Sequence, residues 1–280
     1  MNRGQVRFEV RERLRKSGIP LAALEADILC SEVFGCSRED LLAHPERQVK
    51  PEEVHRLFSL AEARIARVPV AYLKGRASFW GLDLLVGRGC LIPRPETELL
   101  VETALELFSK GRFLDWGTGS GCLALALLAE REEAMAVMME KSPLALAWAW
   151  RNLVRFPFQH RALLWHGSSI RQIPSAWLPF DLIVGNPPYI PSSEIPSLME
   201  DVRLYEPILA LDGGPDGLQQ VRNILREAES ALLPGGWLLL EIGGEEQAER
   251  LKTVSSPALE LAWVKRDWAG KDRIAVWRHR

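Results

Sequence analysis

The sequence predicts an α/β protein: a Rossmann-like domain of parallel strands and covering helices, preceded by a small helical bundle and a β-hairpin. Three observations carry this expectation. From Arg94 onward, short apolar runs alternate with longer amphipathic stretches. Residues 1–67 show the helical period and no strand signal. Between Val68 and Pro93 the texture changes to short runs around Gly81, followed by Gly87 and Gly89. The expected division is a helical domain at 1–70, a hairpin connector at 71–93 and the α/β domain at 94–280.

Each element has its own local reason. Val6, Val10 and Leu14 recur every four residues among charges, which marks an amphipathic helix. Pro20 is expected in the first turn of a second helix reaching Phe34, where its missing N–H costs nothing. Ser37, with Asp40 three residues on, reads as the cap of a short helix. Pro51 opens another, with Val54, Leu57, Phe58, Ala61 and Ile65 on one face. Residues 78–80 and 82–86 read as hairpin strands. A helix is expected from Pro95 to Phe108, and others from Gly121 and over 143–155. Strands are expected at 113–116, 134–140, 162–165, 181–185, 237–242, 259–264 and 273–277. Only the last two lie close enough for a hairpin, so an antiparallel edge is expected there.

Composition excludes several classes. The chain has 280 residues, 47% apolar and 26% charged, enough for a sizeable core. A formal net charge of -2, with residues 76–280 net acidic, disfavours a polyanion binder. Cys30, Cys36, Cys90 and Cys122 form no Cys-x-x-Cys pair, and no histidines sit at zinc spacing, so no metal site is expected. The charged start from Met1 to Lys16 does not read as a signal peptide, and the longest apolar run, 122–129, is too short for a bilayer. A cytoplasmic protein without a membrane partner is expected.

Two loops carry the chemistry. Asp115-Trp116-Gly117-Thr118-Gly119-Ser120-Gly121 follows an apolar strand and opens an apolar helix. Glycines allow a sharp turn and close approach of a ligand, and the helix start offers free N–H groups. The Gly-x-Gly-x-Gly spacing is not the dinucleotide fingerprint, and no lysine follows as in a phosphate loop. Glu140, an acid at the end of the second strand, suits a ribose diol. Ribose without pyrophosphate points to S-adenosylmethionine, held by Gly117, Thr118, Gly119, Ser120, Gly121 and Glu140. The second loop, Asn186-Pro187-Pro188-Tyr189, follows the strand at 181–185. Two prolines fix the backbone and remove donors, so the Asn186 side-chain oxygen and the Pro187 carbonyl can accept both hydrogens of an NH2 group. Tyr189 offers an aromatic face to a flat substrate or a sulfonium. Asn186, Pro187 and Tyr189 are thus the catalytic candidates, with Pro188 completing the substrate grip and Asn186 also touching the cofactor.

The two loops together resemble those of amino-group methyltransferases. Ile92-Pro93-Arg94-Pro95-Glu96-Thr97-Glu98 narrows the resemblance to the release-factor glutamine methyltransferases of the PrmC/HemK type. Residues 69–75, Glu206-Pro207, 210–214 and 267–273 agree with it along nearly the whole chain. The resemblance implies S-adenosylmethionine as methyl donor and, as substrate, the glutamine of the Gly-Gly-Gln motif in class 1 peptide chain release factors. It implies that Arg94 and Thr97 line the pocket beside Asn186 and Pro187, and that the N-terminal bundle grips the release factor. Three positions depart from the family's habit. Trp116 replaces a small aliphatic residue, Glu140 replaces the commoner aspartate, and Ser168-Ser169 fall where an acid often meets the adenine amine. Rival readings are a DNA adenine or ribosomal-protein glutamine methyltransferase, and a non-catalytic cofactor-binding adaptor.

Overall fold

The computed structural model describes residues 1–254 and 256–280. The chain divides into two compact units. One comprises Met1–Gly75 with Met199–Tyr205, the other Arg76–Leu198 with Glu206–Arg280.

The first unit is helical: α1 (Arg3–Lys16), α2 (Ala22–Phe34), α3 (Arg38–Ala43), α4 (Pro51–Ile65) and α5 (Val70–Lys74). Val6, Val10 and Leu14 of α1 are fully buried in one core with Leu29, Leu57 and Ala61, as their four-residue spacing predicts. The Ser37 hydroxyl caps α3 by accepting the Asp40 N–H at 3.1 Å. Pro20 is not in the first helical turn; it lies in a turn, and α2 begins only at Ala22. Residues 199–205 join this unit through a buried arginine. Arg64 donates to Glu25 at 2.7 Å and pairs with Asp201 at 3.4 Å, while the Tyr205 hydroxyl donates to the Ala66 carbonyl at 2.6 Å. No periodicity in the sequence announces that return.

The second unit opens with the hairpin β1 (Arg76–Phe79) and β2 (Leu82–Leu85). Expected as a connector, the hairpin instead packs as part of the α/β unit. Phe79 and Leu84 are buried in its core, and the buried Asn152 side chain accepts from the Leu85 N–H at 2.7 Å and donates to the Leu85 carbonyl at 2.9 Å. Then come α6 (Glu98–Leu107), β3 (Gly111–Trp116), α7 (Cys122–Glu130), β4 (Ala134–Glu140), α8 (Pro143–Leu153), β5 (Ala162–His166) and β6 (Phe180–Gly185). After α9 (Glu200–Tyr205), which belongs to the first unit, follow α10 (Gln219–Ala228), β7 (Leu232–Glu241), α11 (Glu245–Leu251), β8 (Leu259–Arg266) and β9 (Asp272–His279).

The seven-stranded sheet has the order β5-β4-β3-β6-β7-β9-β8. It is parallel from β5 to β7, and β9 runs antiparallel to both its neighbours. The last strand therefore inserts between β7 and β8 rather than forming the edge. Strands buried on both faces feed two cores. In β4, Ala136 and Met138 enter the core shared with α6, α7 and α8, while Val137 and Met139 enter the core shared with α10 and α11. The helix expected from Pro95 splits into a 3-10 turn, Pro95–Thr97, and α6 from Glu98. Among the described residues, no helix is long and apolar enough to cross a membrane.

Candidate active site

The chain winds outward from β3 through β4 to β5, then returns to lay β6 on the other side of β3. That reversal opens a crevice at the carboxyl ends of β3 and β6, the usual ligand position in such sheets. The register is decisive. Trp116 pairs with Gly185, and Gly185 pairs with Leu240 of β7. The next residue on each strand is Gly117, Asn186 and Glu241, so the glycine loop, the Asn-Pro-Pro-Tyr loop and a buried acid emerge side by side.

The glycine loop is shaped by its backbone. Gly117, Gly119 and Gly121 all adopt positive φ, at 70°, 57° and 84°. A side chain at Gly121 would also come within 2.8 Å of the Met138 methyl. Thr118 and Ser120 are buried between them. The Thr118 N–H donates to the Met139 carbonyl at 2.9 Å, and the Asn152 amide donates to the Ser120 carbonyl at 2.8 Å. The Glu140 carboxylate accepts the Gly119 N–H at 3.0 Å and the Ser142 N–H at 2.8 Å. Its longer side chain thus ties two loops together and still stands on the cavity wall.

Beneath the loop lies Asp115, fully buried. Its Oδ2 accepts the Thr118 hydroxyl at 2.5 Å and the Ala124 N–H at 3.2 Å, while Oδ1 has no partner among the described residues. Burial pushes this carboxyl up to about 7. Glu241, also buried, is pushed up by burial to about 7 although Thr97, Arg273 and Tyr189 pull the other way. Both carboxyls hold a proton more tightly in the fold than in the unfolded chain. Their stabilising contribution is therefore full below about pH 4 and is lost as pH rises toward 7. Asp216, held down at about 2 chiefly by its hydrogen bond from Arg222, changes charge below this window. Urea midpoints should consequently fall between about pH 4 and pH 7, by up to a few kcal/mol in stability. Asp115→Asn should flatten that slope; an unchanged slope would remove Asp115 from the explanation.

The second loop is held from behind. Ile190 N–H donates to the Leu211 carbonyl at 3.0 Å, and Gly213 N–H donates to the Ile190 carbonyl at 2.8 Å. The Gln247 amide donates to the Tyr189 carbonyl at 2.7 Å. Gly213 has no room for a side chain: a Cβ would stand 2.7 Å from the Pro188 carbonyl oxygen and 2.8 Å from Gly217 backbone. This is why residues 210–214 accompany the proline loop. Gly213→Ala should displace that loop and lower turnover by roughly tenfold, since small misplacements at a reacting centre are costly. Steady-state kinetics would decide, and an unaltered turnover would show the loop tolerates the shift.

Thr97 and Arg94 are placed by other means. The Asn186 Nδ2 donates to Thr97 Oγ1 at 3.1 Å, and Thr97 Oγ1 donates to Glu241 Oε2 at 2.7 Å. The Tyr189 hydroxyl lies near enough to Glu241 to pull its pKa down against burial. Arg94 donates to the buried Glu206 at 2.5 Å, and Glu206 accepts the Ile92 N–H at 3.0 Å. The Glu206-Pro207 pair thereby fixes the Ile92–Arg94 segment.

These residues enclose a cavity of about 330 Å³. Arg94, Thr97, Trp116, all five residues of the glycine loop except Gly121, Glu140, Asn186 and Pro188 line it. Of the sequence candidates, Gly121 serves behind the wall and Pro187 is buried. Tyr189 faces a neighbouring groove of about 440 Å³. The proline loop is therefore a partition, with Asn186 on one side and Tyr189 on the other. Ser168 reaches the cavity, whereas Ser169 turns away and donates to Glu227 at 2.7 Å. Sequence reasoning missed Glu241, Glu206, and the amides Gln220 and Asn223 of α10, which also line the cavity. Only Glu206 carried a signal, in the Glu-Pro pair. Among the described residues no cluster of His, Cys, Asp or Glu suits a metal ion.

Comparison with known proteins agrees with this architecture. Residues 5–75 match the PrmC N-terminal domain and residues 95–201 the methyltransferase small domain. A solved methyltransferase from Pyrococcus furiosus shares the fold, with a TM-score of 0.51 at 20% identity over 79% of this chain and 98% of that one. A release factor glutamine methyltransferase from Caulobacter vibrioides is 37% identical over 270 residues, covering 95% of this chain and 92% of its own. Another, from Cereibacter sphaeroides, is 40% identical over 263 residues, covering 94% and 93%. With both loops, the segment that positions Asn186 and the helical N-terminal unit all present in one chain, this protein belongs to the release factor glutamine methyltransferase family.

Proposed function

We propose that the chain transfers a methyl group from S-adenosylmethionine to the side-chain amide nitrogen of the glutamine in the Gly-Gly-Gln motif of class 1 peptide chain release factors. The products are N5-methylglutamine, S-adenosylhomocysteine and the proton that leaves the amide nitrogen after transfer. One observation carries this reading. The glycine loop and Asn186 emerge from paired residues on adjacent strands, and they share a cavity in a chain 37–40% identical to release factor glutamine methyltransferases.

The residues present fit the cofactor. The cavity lies within the size range of small-molecule sites. Beneath the loop, Asp115 keeps a buried side-chain oxygen without a partner among the described residues, and Glu140 stands as an acid on the wall. A cationic ligand answers the acid on the wall. When bound, S-adenosylmethionine supplies an electrophilic methyl on a sulfonium. Gly117 to Ser120 and Glu140 would hold it, with Ser168, Gln220 and Asn223 available at the wall.

The chain's own residues then act by positioning. An amide nitrogen is a weak nucleophile because its lone pair is delocalised into the carbonyl. Alignment at near-attack distance supplies about 7–11 kcal/mol in favourable cases. The Asn186 oxygen and the Pro187 carbonyl accept the two N–H bonds of the glutamine, which favours a pyramidal nitrogen and stabilises its developing positive charge. Tyr189 closes the side facing the groove, and Arg94 frames the entrance beside Thr97. Residues 1–75 bind the release factor away from the reacting glutamine, so that remote binding energy orients a macromolecular substrate.

The groove beside Tyr189 favours protein over nucleic acid. Glu194, Asp216, Glu245 and Glu246 line it, with Arg250 as its only basic residue among the described ones. Such a wall repels phosphates. Incubation with labelled S-adenosylmethionine and either release factor or duplex DNA tests this: label is expected on the protein alone, and label on adenine would overturn the reading.

A further inference from the structure

Thr97 occupies the residue before α6, where a threonine commonly caps a helix by accepting a backbone N–H. Its hydroxyl makes no such bond. It stands instead between two side chains brought in from far along the chain, Glu241 on one side and Asn186 on the other.

The direction of these bonds is set by chemistry. Above about pH 7, where Glu241 is ionised, its carboxylate only accepts. A hydroxyl has one hydrogen, which Thr97 gives to Glu241 at 2.7 Å. Its oxygen can then only accept from Asn186, so the Asn186 amide must turn its NH2 toward Thr97, at 3.1 Å. The Asn186 oxygen is thereby aimed away from Thr97. We propose that Thr97 and Glu241 form a relay of fixed polarity that holds Asn186 with its oxygen toward the substrate, which makes them positioning residues for methyl transfer. The inference rests on the function proposed above and sharpens it. The relay selects a group that donates N–H and rejects one that accepts, because turning Asn186 to present its NH2 would set its oxygen against the Thr97 oxygen. A primary amide satisfies both acceptors, whereas a methylated amide has one N–H fewer and stops after one transfer.

Glu241 is an expensive way to fix a threonine if structure alone were served. It is buried, and an apolar side chain would stabilise β7 better. The test exploits that difference in the full chain, with purified release factor and S-adenosylmethionine. Thr97→Val should lower kcat by roughly 10- to 100-fold, leave cofactor affinity by calorimetry within about twofold, and be rescued by Thr97→Ser. Glu241→Leu frees the Thr97 hydroxyl to reverse, so kcat should fall while Tm holds or rises; it also serves if Thr97→Val fails to fold. The Asn186 side-chain NH2 should be protected from hydrogen exchange in the wild type and lose that protection in both variants. A wild type that methylates no release factor would refute the functional reading, and the exchange measurement would still decide the relay. Unchanged kcat and unchanged protection in Thr97→Val, or no rescue by serine, would overturn the relay.

Discussion

Asn186→Ala is expected to lower methyl transfer by roughly 100- to 1,000-fold, the usual cost of deleting one preorganised group at a developing charge. Cofactor affinity should change far less. The reason is the geometry of the partition. Asn186 meets the cavity with one amide whose nitrogen is committed to Thr97, which leaves its oxygen as the group proposed to meet the substrate nitrogen. The cofactor cradle proposed above is made by other residues, on the glycine loop and at the end of β4. Turnover and calorimetric affinity measured on the same preparation separate the two roles. Comparable losses in both would assign Asn186 to cofactor binding rather than to the reacting nitrogen.

Glu140→Ala is expected to do the opposite. Its carboxylate accepts the N–H groups of Gly119 and Ser142, which belong to the two loops that flank the cavity. Removing it leaves two donors at the cavity wall without their acceptor and loosens the glycine loop. A charge-assisted hydrogen bond contributes about 1.5–3 kcal/mol, so cofactor affinity should fall by roughly tenfold to more than a hundredfold. kcat at saturating cofactor should recover most of its value. Glu140→Asp should fall between the two, because the shorter side chain reaches one loop more easily than both. An alanine variant that binds cofactor as tightly as the wild type would show that the loop shapes itself without Glu140.

Much of this site was legible because its two loops are local in sequence. Glycines at alternate positions after a strand, and two prolines after another, carry their backbone geometry in their own residue types. The strands are equally plain, being apolar runs bounded by glycine and charge. What escaped reading depends on register between distant segments. Glu241 ends a run of leucines and looks like a strand-end charge; only the pairing of Leu240 with Gly185 brings it beside Asn186. Thr97 is named only through the family resemblance, and its bond to Glu241 depends on the same distant pairing. The antiparallel end of the sheet follows from the short link between the last two strands, but no pattern reveals that β9 enters between β7 and β8. The return of Met199–Tyr205 to the helical unit rests on Arg64, whose partners Glu25 and Asp201 are distant in sequence from it. Of the three departures from family habit, Glu140 gains a reason in the two loops it joins. Trp116 and Ser168 both reach the cavity, and nothing in the structure explains the choice of tryptophan.

The central claim is that a glutamine amide nitrogen receives the methyl group. Release factor incubated with this protein and S-adenosylmethionine, then digested and mapped by mass spectrometry, tests it most directly. A single methyl on the glutamine of Gly-Gly-Gln is expected, with none on release factor carrying Gly-Gly-Ala. Methylation that persists in the Gly-Gly-Ala protein, or appears on any other side chain alone, would contradict the account.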